Sequence, residues 1–152
     1  MSGAYVTHEM TGLQPILARL NGLGDPRRTA EGLANIGGLI ESQTKARFDE
    51  RRSPEGDSWT PWSEGYAATR KKGQTLLVAS GAFRDSIAWD LTGEELRIGS
   101  NLVYAALHQE GGTSDMPAGP VAVPARPVLG LSGENITEIE YAMGDWIEGL
   151  LQ

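Results

Sequence analysis

Residues 86–100, SIAWDLTGEELRIGS, decide the fold class of this chain. Apolar residues alternate with polar ones on both sides of Thr92-Gly93: Ile87, Trp89 and Leu91 before it, and Leu96 and Ile98 after it. A period of two on each side of a short turn predicts a β-hairpin with one buried face. The hairpin interrupts a chain whose other long segments have helical spacing, which indicates a mixed α and β structure.

Two helices are predicted before the hairpin. Residues 9–22 carry a short apolar stripe of helical period, and a second helix begins at the N-cap Asp25 and continues to Arg51 or Arg52. The pair Gly37-Gly38 lies inside the second helix, where glycine is unfavourable. We therefore expect a close helix contact or a bend at that pair.

The C-terminal part of the chain predicts shorter elements and a last helix. Residues 102–110 indicate a short helix or turn, and a short strand is expected at residues 121–123. Ser132 caps a last helix, which has the cleanest apolar stripe of the chain and an acidic opposite face. The prediction is an α+β fold with N-terminal helices, a small antiparallel β-sheet that contains the hairpin, and a C-terminal amphipathic helix.

Length and composition indicate one ordinary globular domain. At 152 residues the chain is expected to form a single domain, residues 1–152. It has no cysteine, which excludes disulfides, thiolate zinc sites and cysteine nucleophiles. Neither a signal peptide nor an apolar run long enough for a membrane span is visible. We expect a protein made and kept in a cytoplasm, with no membrane partner.

The net charge of −7 is unevenly distributed. Residues 1–72 carry ten Lys or Arg against nine Asp or Glu, whereas residues 73–152 carry three against eleven. Free-standing nucleic-acid binders usually have the opposite sign, because they neutralise phosphates. A near-neutral half and an acidic half instead favour a protein that orients against partners or copies of itself.

His108, in the stretch YAALHQEGG, is the best candidate for an enzyme site. Catalytic or metal use would need further convergent groups, and only Glu110, Asp115 and His8 are compatible. The chain contains no H-E-x-x-H, no G-x-S-x-G and no phosphate-binding glycine loop. We therefore expect no enzyme, no catalytic or metal-binding residues and no cofactor. If the protein were a metal hydrolase, His108→Ala should abolish activity and leave stability nearly unchanged. If His108 is structural, the same substitution should lower stability, with no activity to lose.

A basic cluster flanks two tryptophans between residues 45 and 72. Bases can stack on aromatic rings that lie beside cations, so a nucleic-acid-binding accessory protein is the alternative function. Interspersed acidic residues favour instead a solvated helix face or the rim of a protein–protein interface, where Trp and Arg are preferred anchors. The candidate interface residues are Arg47, Arg51, Arg52, Trp59 and Trp62.

Four ordered blocks carry a resemblance to a known family: ARFDERRSPEGDSWTPWSEGY, LLVASGAFRDSI, IGSNLVYAALHQEGG and VPARPVLGLS. Over about residues 40–150 the chain resembles the phage virion morphogenesis family, also called tail completion protein S-like. Phe83 and Val128 stand where Leu and Phe are usual in that family. The resemblance implies a structural component of a tailed phage or prophage-like particle, which completes the tail and joins it to the head without catalysis.

The resemblance also implies a location and partners. The location is the tail or neck of the virion, with assembly in the bacterial host cytoplasm. Proteins at that position generally work as rings, so we expect a homo-oligomer such as a hexamer, in contact with tail tube, tail terminator or head-connector proteins. Direct nucleic-acid binding is not expected. Because a ring needs two different surfaces on each copy, we expect Arg47, Arg51 and Arg52 of one copy to face the acidic half of the next.

Within this interpretation, YAALHQEGG forms the first part of a structural clasp. Tyr104 packs, and His108 and Gln109 bind loop backbone. Gly111-Gly112 let the chain turn into a flexible loop, residues 112–119, which is free to touch a tail protein or a neighbouring subunit.

The stretch PARPVLG forms the second part of the clasp. Pro124 and Pro127 fix φ, and Arg126 between them is expected to bind a carboxylate or helix-end carbonyls. The clasp residues are Tyr104, His108, Gln109, Gly111, Gly112, Arg126, Pro127 and Gly130.

Overall fold

The computed structural model of this chain describes residues 6–7, 12–62, 64–72, 74–78, 81–93, 95–102, 105–111 and 124–150. Its elements follow one another in the order β1 (Val6–Thr7), α1 (Gln14–Asn21), α2 (Pro26–Glu50), α3 (Glu64–Ala67), α4 (Ala82–Ser86), β2 (Ala88–Thr92), β3 (Glu95–Ser100), α5 (Ala105–Glu110) and α6 (Gly133–Leu150). The expected loop at 112–119 and the expected strand at 121–123 lie outside the described residues.

Helix α2 is the centre of the fold. As predicted, it begins after Asp25, whose Oδ1 accepts a hydrogen bond from the Arg27 N–H at 3.0 Å. It ends at Arg51, which has a left-handed backbone with φ of 58° and donates its N–H to the Arg47 carbonyl. Helix α2 packs against α1, α6 and both strands of the hairpin. Its largest buried apolar side chains are Leu33, Ile36, Ile40 and Phe48.

The predicted hairpin is confirmed and forms part of a three-stranded antiparallel sheet of order β1-β3-β2. Thr92 pairs with Glu95, so the turn follows Thr92 and is one residue later than the predicted Thr92-Gly93. Gly93 takes a positive φ of 63° in that turn. Strand β1, in which Val6 pairs with Ser100, was not predicted. The α+β fold class is confirmed.

Gly37 explains how α2 lies so close to the sheet. A Cβ atom at Gly37 would lie 2.8 Å from Cδ2 of Trp89 in β2, whereas a Cβ at Gly38 would meet nothing within 4 Å. The expected close contact therefore exists, but the hairpin and not another helix makes it. The close helix contact occurs one turn earlier, where a Cβ at Gly32 would lie 2.5 Å from Leu20 of α1 and 3.1 Å from Trp146 of α6.

Helix α6 covers the other side of α2 with its apolar stripe. Ile139, Met143 and Ile147 are buried on that stripe. The predicted Ser132 cap is present, because Ser132 Oγ accepts from the Asn135 N–H at 3.0 Å. Asn135 Oδ1 in turn accepts from the Ser132 N–H at 3.0 Å, which gives a reciprocal pair like a capping box.

None of the described helices has both the length and the apolar composition that a bilayer crossing requires.

Candidate functional site

The site is the point where PARPVLG, residues 124–130, runs between α5, the C-terminal end of α2 and the loop after α2. Gln109 of α5 binds this segment from one side with three hydrogen bonds. Its Oε1 accepts from the N–H groups of Val128 and Leu129, each at 3.0 Å, and its Nε2 donates to the Leu129 carbonyl at 3.1 Å. Val128 and Leu129 are buried and belong to no helix or strand, so the amide of Gln109 satisfies backbone groups that have no partner in secondary structure.

Arg126 joins the same segment to two other parts of the chain. Its backbone N–H donates to the His108 carbonyl at 2.7 Å. Its Nε and Nη2 donate to the carbonyls of Thr60 and Pro61 at 2.8 and 3.3 Å. The expectation of a carboxylate or helix-end carbonyls for this side chain is therefore wrong. Thr60 and Pro61 lie in a loop, so no helix supplies N–H donors to their carbonyls. The guanidinium of Arg126 supplies those donors from a buried position.

Arg47 and Trp59 close the site from the α2 side. Arg47 donates to the Val128 carbonyl and to Asn135 Oδ1 of the α6 cap, and the Trp59 indole Nε1 donates to the Pro127 carbonyl at 2.9 Å. Both side chains are only 4% exposed. The prediction of Arg47 and Trp59 as interface residues is wrong, because the carbonyls of residues 127–128 accept hydrogen bonds from their polar ends inside the chain.

Burial lowers the pKa of the basic side chains of the site. Desolvation lowers the pKa of Arg47, although Glu50 and Glu55 oppose this effect, and burial also lowers the pKa of Arg126. Arginine keeps its proton in proteins, so both side chains act only as hydrogen-bond donors. Two buried cations thus bind backbone and amide oxygens. Among the described residues, neither forms an ion pair with a carboxylate.

His108 is half-buried and packs against an aromatic cluster. Its ring stacks on Phe83 with centroids 5.4 Å apart and 27° between the planes, and Phe83 packs edge-on against Phe48. Burial lowers the pKa of His108, and the charge of Arg126 lowers it further, so the imidazole is neutral at pH 7. In the described part of the chain, no three His, Asp or Glu side chains come together as a metal site would require.

The glycines of the clasp occupy turns where the structure describes them. Gly111 has a φ of 82° directly after α5, and Gly130 has a φ of 145° before the α6 cap. Both values lie in the region that favours glycine. Tyr104 and Gly112 lie outside the described residues, so their predicted places in the clasp stay predictions.

The other three candidate interface residues lie nearer the surface. Arg51 and Arg52 are exposed, and Arg52 Nη1 donates to the Gly56 carbonyl at 3.5 Å. Trp62 is half-buried, with its ring edge-on to Tyr66 at 6.1 Å between centroids. These residues therefore stay candidates for a contact with another molecule.

Sequence reasoning missed Asn135 and the carbonyls of Thr60 and Pro61. Asn135 carried a readable signal, since it follows the cap Ser132 by three residues as in a capping box. Backbone acceptors in a proline-rich loop carry no such signal, because any residue supplies a carbonyl.

Comparison with known proteins assigns the chain to a family. The profile of the phage virion morphogenesis family matches residues 8–148. This chain belongs to the phage virion morphogenesis family. It is 37% identical over 116 residues to the "Putative capsid assembly protein G" of Escherichia phage Mu, with 73% of this chain and 74% of the relative covered.

A second relative comes from a bacterial genome. The chain is 26% identical over 122 residues to the "Mu-like prophage FluMu G protein 1" of Haemophilus influenzae (strain ATCC 51907 / DSM 11121 / KW20 / Rd), covering 77% of this chain and 78% of the relative. No solved structure matches the chain significantly. The family gives this chain a structural assembly role in phage particles, carried out on the virion or during its assembly in the host.

Proposed function

We propose that this chain completes the tail of a tailed phage or prophage-like particle and joins that tail to the head, as a non-catalytic ring component at the tail end or neck. The family match over residues 8–148 is the observation that carries an assembly role. The finer role follows from the resemblance of the four sequence blocks to tail completion proteins.

The clasp supports a structural function in preference to catalysis. The polar groups of Gln109, Arg126 and Arg47 bind backbone or amide oxygens of the chain itself. His108 is held neutral against Phe83. Such groups stabilise a surface for assembly, and none of these contacts positions a reacting group toward solvent.

The uneven charge supports a ring. Residues 1–72 carry a net charge of +1 and residues 73–152 a net charge of −8, so the charge of each copy is unevenly distributed along the chain. Contacts between different surfaces generate rings when the rotation closes. We propose that the ring meets the tail tube or tail terminator on one side and the head connector on the other.

Capsid assembly is a second candidate, because the phage Mu relative is named a putative capsid assembly protein. The nucleic-acid alternative has lost support. Trp59, one of its two stacking rings, is buried and donates to Pro127. The remaining basic residues belong to a chain with a net charge of −7.

An add-back experiment tests the proposal. Heads and tails from a phage that lacks this chain would be mixed with the purified protein, and infectious particles would be counted. We expect joining only when the protein is present. If heads that lack the protein are malformed and addition does not rescue them, capsid assembly replaces tail completion as the function.

A further inference from the structure

An exposed patch outside the clasp combines aromatic rings with basic side chains. Trp62 and Tyr66 meet edge-on at 69°, and the guanidinium carbon of Arg70 lies 4.2 Å from the centroid of the Tyr66 ring. Tyr66 is 49% exposed, and Lys71 and Lys72 follow on the surface. These five residues are called the aromatic–basic patch. Glu64 is the one acidic residue between Trp62 and Lys72, against three basic ones.

The outer face of α6 has the same organisation with the opposite charge. Tyr141 is 74% exposed, and it lies in the middle of a stripe with one acidic residue on most turns. This aromatic–acidic stripe consists of Glu134, Glu138, Tyr141, Asp145 and Glu148, which are all exposed. The spacing of i, i+4, i+7, i+11 and i+14 places the five residues along one line of the helix. Helix α6 contains no basic residue.

Glu134 lies in the first turn of α6, where a negative charge is favourable, but the other stripe carboxylates have no such role in the described part of the chain. Like charges four residues apart, such as Glu134 and Glu138, destabilise a helix. In the described part of one copy, no basic side chain lies within ion-pair distance of any stripe carboxylate. Tyr141 leaves most of its ring in water. An aromatic centre with a charged rim is the usual composition of a protein–protein interface.

We propose that the aromatic–basic patch of one copy docks on the aromatic–acidic stripe of a second copy. The two surfaces have opposite charge, and each has an aromatic residue among its charged ones. Because every copy carries both surfaces, a second copy is the partner that fits. The contact joins different surfaces, so repetition generates a closed ring or a filament. The inference rests on the ring of the proposed function and names its interface.

The aromatic–basic patch fits this role better than Arg51 and Arg52 do. Glu50, Glu55 and Asp57 are exposed beside that arginine pair and offset its charge. The patch has an uninterrupted cationic run at Arg70, Lys71 and Lys72 and contains the exposed ring of Tyr66 and the half-buried ring of Trp62 as well. We therefore place the interface at residues 62–72 and not around Arg47, Arg51 and Arg52, where the sequence predicted it.

A charge swap tests the contact directly. The Lys71→Glu/Lys72→Glu variant reverses the patch, and the Glu138→Lys/Asp145→Lys variant reverses the stripe. All four positions are exposed, so the fold should tolerate both changes. We expect each variant alone to weaken self-association by about tenfold or more, measured by native mass spectrometry and sedimentation at low salt. Mixing the two variants should restore association, since each supplies the complementary reversed surface.

Arg27→Glu/Arg28→Glu is the matched control. It changes the net charge as much as the patch variant does, at exposed positions in the first turn of α2, where acidic residues are tolerated. The ion pair of Arg28 with Asp25 that it removes is solvent-exposed and contributes little. We expect it to associate like the wild type. A second variant, Tyr141→Ser, should weaken association while leaving the urea unfolding curve unchanged.

Several outcomes would overturn the proposed contact. The first is a wild-type protein that stays monomeric at high concentration and low salt. The second is an oligomer that neither charge-reversal variant weakens. The third is self-association that only Arg51→Glu/Arg52→Glu weakens. If Lys71→Glu/Lys72→Glu abolishes binding of a DNA fragment but leaves the oligomer intact, the patch binds nucleic acid and not a second copy. The add-back assay separates this failure from that of the proposed function: charge-reversed protein that still joins heads to tails refutes only the contact, whereas wild-type protein that joins none refutes the function.

Discussion

Replacing Gln109 by leucine tests whether the clasp holds the fold together. Leucine has nearly the same volume but can make none of the three hydrogen bonds to Val128 and Leu129. The substitution leaves two N–H donors and one carbonyl without their partner. Water cannot easily replace that partner, since Val128 and Leu129 are 1% and 3% exposed.

The size of the effect follows from those bonds. Each intramolecular hydrogen bond contributes about 1 kcal/mol net, and a buried group left unsatisfied costs about 1–3 kcal/mol. We therefore expect Gln109→Leu to lower the free energy of unfolding by about 3–5 kcal/mol. Domains are stable by only about 5–15 kcal/mol, so this is a large fraction of the total. For a chain of this length the melting temperature should fall by at least about 6 °C.

Urea unfolding followed by tryptophan fluorescence measures this change, as the chain contains four tryptophans. Gln109→Glu should lose less than the leucine variant, because one oxygen can still accept from both N–H groups. Glu110→Gln, at the exposed neighbouring position, is the control and should stay within about 0.5 kcal/mol of the wild type. A loss below about 1 kcal/mol for Gln109→Leu would refute the clasp as a stabilising element.

Three further predictions use the same unfolding assay. Gly37→Ala should destabilise by about 1–3 kcal/mol, because its Cβ would lie 2.8 Å from a tryptophan of β2. Gly38→Ala has open space and should stabilise by about 0.5–1 kcal/mol, so equal effects of the two variants would contradict the packing described. The pKa of His108 is lowered in the folded chain, so the unfolded chain binds more protons as pH falls below about 6.5. Unfolding free energy should therefore drop between about pH 7 and pH 5, and His108→Phe should flatten that slope; an unchanged slope would exclude His108 as its source. Arg47→Met should cost about 2–3 kcal/mol by orphaning a buried carbonyl, whereas Lys45→Met, with a half-exposed ion pair only, should cost under about 0.5 kcal/mol.

The elements that sequence predicted correctly are those with local signals. The start of α2 depends on Asp25 and Pro26, and the start of α6 depends on Ser132, all within one turn of the helix end. The hairpin shows its period of two over residues 86–100. Strand β1 was missed because two residues are too few to show a period, and its pairing is decided by the free edge of β3.

The site was predicted only in part for a different reason. The residue types of the clasp were readable, since Gln109, Arg126 and Pro127 lie in two distinctive stretches. Their partners were not, because they are backbone carbonyls brought close by the tertiary fold. Arg47 resembles any basic residue of an exposed helix face, and only the arrival of Val128, far along the chain, buries it.

The proposed role of this chain is to join tails to heads. Electron microscopy of particles from a phage or induced prophage with the gene deleted tests it most directly. We expect normal heads and separate tails that fail to join, and joining restored when the gene is supplied in trans. Complete infectious particles formed without the gene would contradict this role. So would a sample that contains tails but no heads.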